Sequence, residues 1–487
     1  MPLTTPSNAR PVLAMAALLT GVFLPPLDYF IVNLALPSIQ TGLKTTAAQV
    51  QLIISAYALA YAVVLITGGR LGDLYGRKRI FMLGMAGFIL SSALCGWAMN
   101  GTALIVGRTV QGVTAALITP QVLATIRTVF PAKAQSRLMG AYGFVFGLSS
   151  IVGQIGGGAL IDLHPLGLGW RAVFLVNLPV GLLALVGAWR FVPENRPAQG
   201  AYIDLAGMLV LTMSLMLLIE PIISGRELGW PAWTILCLIA SLPSFAMLLW
   251  VERRVRRNGQ APLVDLLLLR RPVVAGGLLI AFFFYSISVF FLTYGIFLQR
   301  GLGWSPFQSG LGIAPYGLGY VVGPLGTPWL ARRVGDRLLP LGLGLMAGAF
   351  ALVTWRLGGV PAPDAVMVAG LFAAGIGQGM TLPSLQRIVL ADVAPHQAGL
   401  VAGTMVAVLY LGAAFSAAGI GGVFFTVLGH GRSARAYTHA LQMALAPMVG
   451  ALLVGLVLSL WLLARQSGFG PGWIGRSVPR HCPGSSE

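Results

Sequence analysis

Charge is scarce in this 487-residue chain: it has 13 carboxylates and three lysines, and only 9% of its residues are charged. So little polar surface excludes a string of soluble domains, which a chain this long would otherwise allow. None of the three lysines follows a G-x-x-x-x-G phosphate loop, which excludes an ATP-driven pump. The three cysteines, Cys95, Cys237 and Cys482, are far apart and show no C-x-x-C spacing, so neither a disulfide framework nor a zinc site is expected. The five histidines lack H-E-x-x-H spacing, and the glycine pairs sit in apolar runs without the strand that a dinucleotide fold requires. No enzymatic activity, cofactor or metal is expected.

What the chain has instead is apolar length. Hydrophobic residues make up 57% of it. They recur in runs of about 20, enough to cross a hydrocarbon core of roughly 30 Å as helices that satisfy their own backbone hydrogen bonds. About fourteen spans are expected, beginning with Val12–Leu36 and ending with Ala440–Ala464. The first run has no A-x-A cleavage site and reads as a retained span. The formal charge of +18 sits in short clusters between runs, which argues for topology signals and against nucleic acid. With both termini cytoplasmic, 23 Lys and Arg fall inside and seven outside, as the positive-inside rule requires. The expected organisation is a six-helix bundle over 1–197, two additional helices over 198–258, a second six-helix bundle over 259–466 and a cytoplasmic tail over 467–487.

Four motifs then stand out. The loop GGRLGDLYGRKR, Gly68 to Arg79, offers glycines for a tight turn, Asp73 for a helix end or an arginine, and Arg77, Lys78 and Arg79 for the anionic inner face. It resembles the G-x-x-x-D-x-x-G-x-[RK]-[RK] signature of the major facilitator superfamily, with Gly69, Asp73, Gly76, Arg77, Lys78 and Arg79 as its conformational motif. A degenerate relic, PWLARRVGDR, lies at Pro328–Arg337 in the second half, as internal repeats demand. LDYFIVNLALP (Leu27–Pro37), WRAVFLVNLPVG (Trp170–Gly181) and GIGQGMTLPSLQ (Gly375–Gln386) are similar to signatures of the fourteen-helix drug:proton antiporter branch. That resemblance implies an all-α major facilitator fold and multidrug-type export from the inner membrane. One departure is GQIGGGAL in the fifth span: Gly153 and Gly157 are present, but Gln154 stands where the branch has proline, which removes a forced kink.

Asp28 is the one carboxylate deep in an apolar span of the first half, about 24 Å from the inner end of its helix; Arg108, in LIVGRTVQG, lies about 9 Å from the outer face. Both depths fall in the outer third, so the two can meet. A desolvated carboxyl there suits reversible proton uptake, with Arg108 as its partner; a static structural pair is the alternative. Glu220 lies on an additional helix and is expected to be interfacial. A cavity between the halves is expected to use Asn33, Tyr57 and Tyr61 from the first and Tyr285, Tyr294, Gln378 and Gln386 from the second, and aromatic faces with Asp28 would suit lipophilic cations. The expected partners are a small-molecule substrate, protons and the bilayer, with no nucleic acid, in a monomer. A dedicated proton-coupled exporter of one metabolite and, behind it, an uptake symporter remain open.

Overall fold

A computed structural model describes residues 9–129, 132–194, 204–260, 262, 270–358, 363–393 and 398–467. The expected tail over 467–487 therefore lies outside the described residues beyond Ser467, as does the junction at 195–203. Every regular element among the described residues is helical. The first half comprises α1 (Ala9–Leu43), α2 (Ala47–Tyr75), α3 (Arg77–Gly96), α4 (Gly101–Val129), α5 (Ala132–Leu163) and a broken span of α6 (Ala172–Leu175) and α7 (Asn177–Phe191). Two further helices follow, α8 (Leu205–Glu227) and α9 (Ala232–Arg257). The second half comprises α10 (Pro272–Phe284) continued by α11 (Ser288–Ile296), then α12 (Pro306–Val334), α13 (Leu338–Leu357), α14 (Ala365–Ala391), α15 (Ala398–Leu428) and α16 (Ala434–Ser467).

Thirteen helical stretches among the described residues are long and apolar enough to cross a membrane. The chain is a multi-pass membrane protein. The fourteenth membrane-length element is α12, equally long at 29 residues but diluted by six glycines and three prolines between Gly310 and Trp329. Those small residues serve packing: a side chain at Gly319 or Gly323 would strike backbone of α14, and one at Gly375 or Gly379 backbone of α12.

The halves meet along two seams, α5 against α12 and α2 against α15, and α8 borders both α2 and α15. Taking the Gly76 junction of α2 and α3 as one end of the molecule, the polar and backbone contacts between halves lie toward the other, distal end, and the Tyr61–Tyr410 contact lies at mid-helix. Gly158 of α5 abuts backbone of Pro306 and Phe307, and Gly310 abuts the backbone of Gln154. Ser305 Oγ donates to Asp162 at 2.6 Å, Gln299 donates to the Leu34 carbonyl at 2.8 Å, and Tyr61 and Tyr410 rings lie 4.1 Å apart between centroids. The distal end is closed in this conformation.

Candidate functional site

Local sequence places Asp28 where a helix is already perturbed. Pro25 and Pro26 lack backbone donors and interrupt the bonding of α1 one turn before it, and the Pro25 carbonyl accepts the Tyr57 hydroxyl at 3.1 Å. The wall opposite comes from α5, where Gly153 faces Leu27 and Phe30 and Gly157 faces Ile31; either position with a side chain would push α5 off α1. Gly112, one turn beyond Arg108, lets α4 approach the backbone of Tyr57. The glycine four residues after the arginine thus has a steric reason.

Asp28 and Arg108 are both fully buried and bonded directly to each other. Around them, Arg108 Nη1 also donates to Gln111 Oε1 at 2.7 Å and Nε to the Ile53 carbonyl at 3.2 Å. Gln111 Nε2 and Asn177 Nδ2 each reach Asp28 Oδ1 at 2.9 Å, and both also donate to Ser92 Oγ, at 3.2 and 3.0 Å. The Ser92 hydroxyl donates to the Phe174 carbonyl at 2.8 Å. The Arg108 guanidinium lies over the Tyr57 ring, 4.1 Å from its centroid, while Nη2 has no hydrogen-bond partner among the described residues. Four helices and a helix break thus converge on one carboxylate. Isolating a buried charge is expensive, and partners of this kind offset that cost.

This arrangement can hold a charge pair away from water and release it only when its walls move. Neither lipid nor an open cleft reaches Asp28 in this conformation. Its partners Gln111 and Asn177, and Ser92, which accepts from both, were not singled out by sequence reasoning. Asn177 belongs to WRAVFLVNLPVG, and the signal that could have found it is a polar amide in an otherwise apolar run.

The 68–79 motif, expected as a loop, is helical on both sides of one residue: Gly68–Tyr75 continue α2, Arg77–Arg79 begin α3, and Gly76 alone makes the turn. Gly76 adopts φ 97°, which favours glycine, at the junction of α2 and α3. Arg77 bonds Asp73 at 2.9 Å and the Ala124 carbonyl at 2.9 Å, and Lys78 bonds the Trp189 carbonyl at 2.8 Å. Arg79 is exposed, 3.6 Å from Glu194, and Gly69 packs beside Pro120. The second-half relic has its own version: Gly335 at φ 60°, with Arg387 bonding its carbonyl at 3.2 Å and Asp336 at 3.0 Å.

The seven proposed cavity residues separate into groups. Tyr57, Tyr61 and Tyr285 join one aromatic chain that crosses between halves through Tyr410, with Tyr285 and Tyr410 5.9 Å apart. Asn33 of α1 is fully buried outside both seams, its Nδ2 on the Tyr29 carbonyl at 2.7 Å and its Oδ1 without a partner among the described residues. Tyr294 is not with them: it stacks on Phe290 at 4.8 Å inside the second half. Gln378 is likewise occupied there, accepting the Tyr316 hydroxyl. Gln386, two turns further along α14, is not brought to the seam group by any contact among the described residues. Contacts within the second half take up Tyr294 and Gln378, which their polar character alone did not reveal. Glu220 accepts from Ser224, one turn on in α8, at 2.6 Å.

A family model described as Major Facilitator Superfamily matches residues 18–417. Among curated relatives, the probable actinorhodin transporter of Streptomyces coelicolor is 37% identical over 430 residues, covering 87% of this chain and 74% of the relative. The multidrug resistance protein Stp of Mycobacterium tuberculosis is 32% identical, covering 85% and 76%. The tetracenomycin C resistance and export protein of Streptomyces glaucescens is 30% identical with the same coverage. Among solved structures, a bacterial homolog of the human lysosomal transporter Spinster, inward-facing and unoccupied, superposes with a TM-score of 0.65 at 19% identity, covering 95% of this chain and 98% of its own. That likeness concerns the fold.

Proposed function

The chain belongs to the Major Facilitator Superfamily of transporters, and from that premise we propose that it exports small lipophilic compounds in exchange for protons by alternating access. The observation that carries the proton step is the buried Asp28–Arg108 pair, held by Gln111 and Asn177 inside the half that rocks. When α1, α4 and α7 shift, the carboxylate loses donors and gains water, and a proton takes the place of the guanidinium. Return of the walls restores the pair and expels the proton. Export is supported by relatives named for resistance and export, and the membrane expected from the basic loops is the plasma membrane with both termini cytoplasmic. The 68–79 loop then lies inside, and the closed distal end faces out.

The test uses inverted membrane vesicles carrying an imposed pH gradient and a pH-sensitive dye. The wild type collapses the gradient when substrate is added, and Asp28→Asn, expressed to the same level, does not. Full substrate-dependent collapse by Asp28→Asn would remove Asp28 from the mechanism.

A further inference from the structure

Among the described residues, the surfaces that meet between the halves carry hydrogen-bonding groups and aromatic rings but no available negative charge. Asp28 has both oxygens engaged and is walled off by Tyr57. The face of Tyr57 is itself already occupied by the Arg108 guanidinium, so it is not free to receive a second cation. The other described carboxylates sit at helix ends, in loops or on α8 and α9; Asp162, at the exposed distal rim, is tied to Ser305. Protonation of Asp28 makes matters worse for a cation, because it leaves Arg108 as an uncompensated positive charge behind the tyrosines.

Neutral polar groups, by contrast, have no partner among the described residues on α1, α2 and α5. On α2, Gln51 is fully buried with neither amide atom bonded, beside Gly421 of α15, and Ser55 one turn on also lacks a partner. Asn33 Oδ1 of α1 and both amide atoms of Gln154 in α5 are in the same condition. Buried polar groups are normally satisfied, so opening the halves presents donors and acceptors on walls that also carry the rings of Tyr61, Tyr285 and Tyr410, with Gln51 about three turns along α2 from Tyr61.

We propose that the site takes uncharged aromatic compounds bearing carbonyl or hydroxyl groups, with Gln51 as a specificity-determining residue, and that it does not take lipophilic cations. This deepens the transport reading and rests on it for the identity of the seam as the substrate path. Gln154, in place of the branch's proline, becomes a further hydrogen-bonding group of the opposite wall.

The experiment measures equilibrium binding to the full chain in lipid nanodiscs without any gradient. The probes are 1,4-dihydroxyanthraquinone, which is neutral at pH 7, and tetraphenylphosphonium, a permanent cation of similar aromatic bulk. The wild type binds the quinone at least tenfold more tightly than the cation. Gln51→Leu, and the nearly isosteric Gln51→Met, weaken quinone binding about threefold to tenfold, as loss of a neutral hydrogen bond predicts. Equal or tighter binding of the cation by the wild type overturns the proposal whatever the variants do, as does failure to bind the quinone. Unchanged quinone affinity in both folded variants removes Gln51 from it. A protein that binds the quinone selectively yet leaves the dye signal flat in vesicles refutes proton-coupled export and leaves this inference standing.

Discussion

Asp28 and Arg108 neutralise each other at zero exposure, so removing one partner strands the other. Arg108→Gln is expected to lower stability by about 3–5 kcal/mol, the cost of a buried charge left uncompensated. Adding Asp28→Asn to it should restore most of that loss, because two neutral amides of similar size can bond each other and Gln111. Transport should not return in the double variant, since no group is left to carry the proton. Thermal unfolding of detergent-solubilised protein reads the first effect and the vesicle dye assay the second; a double variant as unstable as Arg108→Gln alone would mean that shape, and not charge balance, holds the site. The pairing of Asp28 with Arg108 was legible in the sequence because each is an isolated charge in an apolar run at matching depth. Ser92, Gln111 and Asn177 were not, because a neutral polar side chain in a membrane helix has many readings until the helices around it are placed.

Individual helices are positioned by steric devices at a few points. Gly158 of α5 touches backbone of Pro306 and Phe307 across the seam, where neither side can give way by a rotamer change. Gly158→Val is therefore expected to force the distal ends apart, destabilising the closed conformation by about 1–3 kcal/mol, the usual penalty of overpacking. A cysteine introduced at Gln51 should then react faster with a membrane-impermeant maleimide supplied at the distal face; an unchanged rate would show that the seam tolerates the added bulk. Caps matter in the same way. Asp364 begins α14, accepting from the Met367 amide at 2.9 Å and from Arg356 at 2.7 Å, and these bonds hold its carboxyl below the ordinary aspartate value. A carboxyl depressed on folding contributes stability that is present above its unfolded pKa of about 4 and is lost as pH falls through the folded value. Asp364→Asn should thus melt below the wild type at pH 7, and the gap should close on acidification below about pH 4. A gap constant with pH would assign the effect to geometry alone. Of the helix starts, those of α2 and α12 carry complete capping boxes, Thr46 with Gln49 and Ser305 with Gln308, and are legible as sequence. The breaks at Val176 and at Tyr285–Ile287 are not, since apolar runs continue through both.

At the scale of the molecule, span order and repeat symmetry were written in the basic clusters and the two loop motifs, whereas the state of the gate was not, because it depends on which surfaces of two rigid halves are in contact. The additional helices show the same limit. Arg70, in the last turns of α2, bonds the Pro262 carbonyl at 2.6 Å and faces Asp204, the N-cap of α8, and Glu252 of α9, a cluster joining the 68–79 motif to the inserted pair that spacing alone could not suggest. Alternating access then makes a demand on the distal contacts: they must break in every cycle. Asp162 and Ser305, hydrogen-bonded across the α5–α12 seam, are placed to test it. In a background lacking the three native cysteines, Asp162→Cys with Ser305→Cys should cross-link on oxidation and stop more than about nine-tenths of substrate flux, with recovery on reduction, because a seam that cannot part keeps the distal path shut. Each single cysteine should be indifferent to oxidant. Cross-linked protein that still transports would mean that substrate leaves without separation of α5 from α12, and the rocking of one half against the other would have to be replaced by movement within a single half.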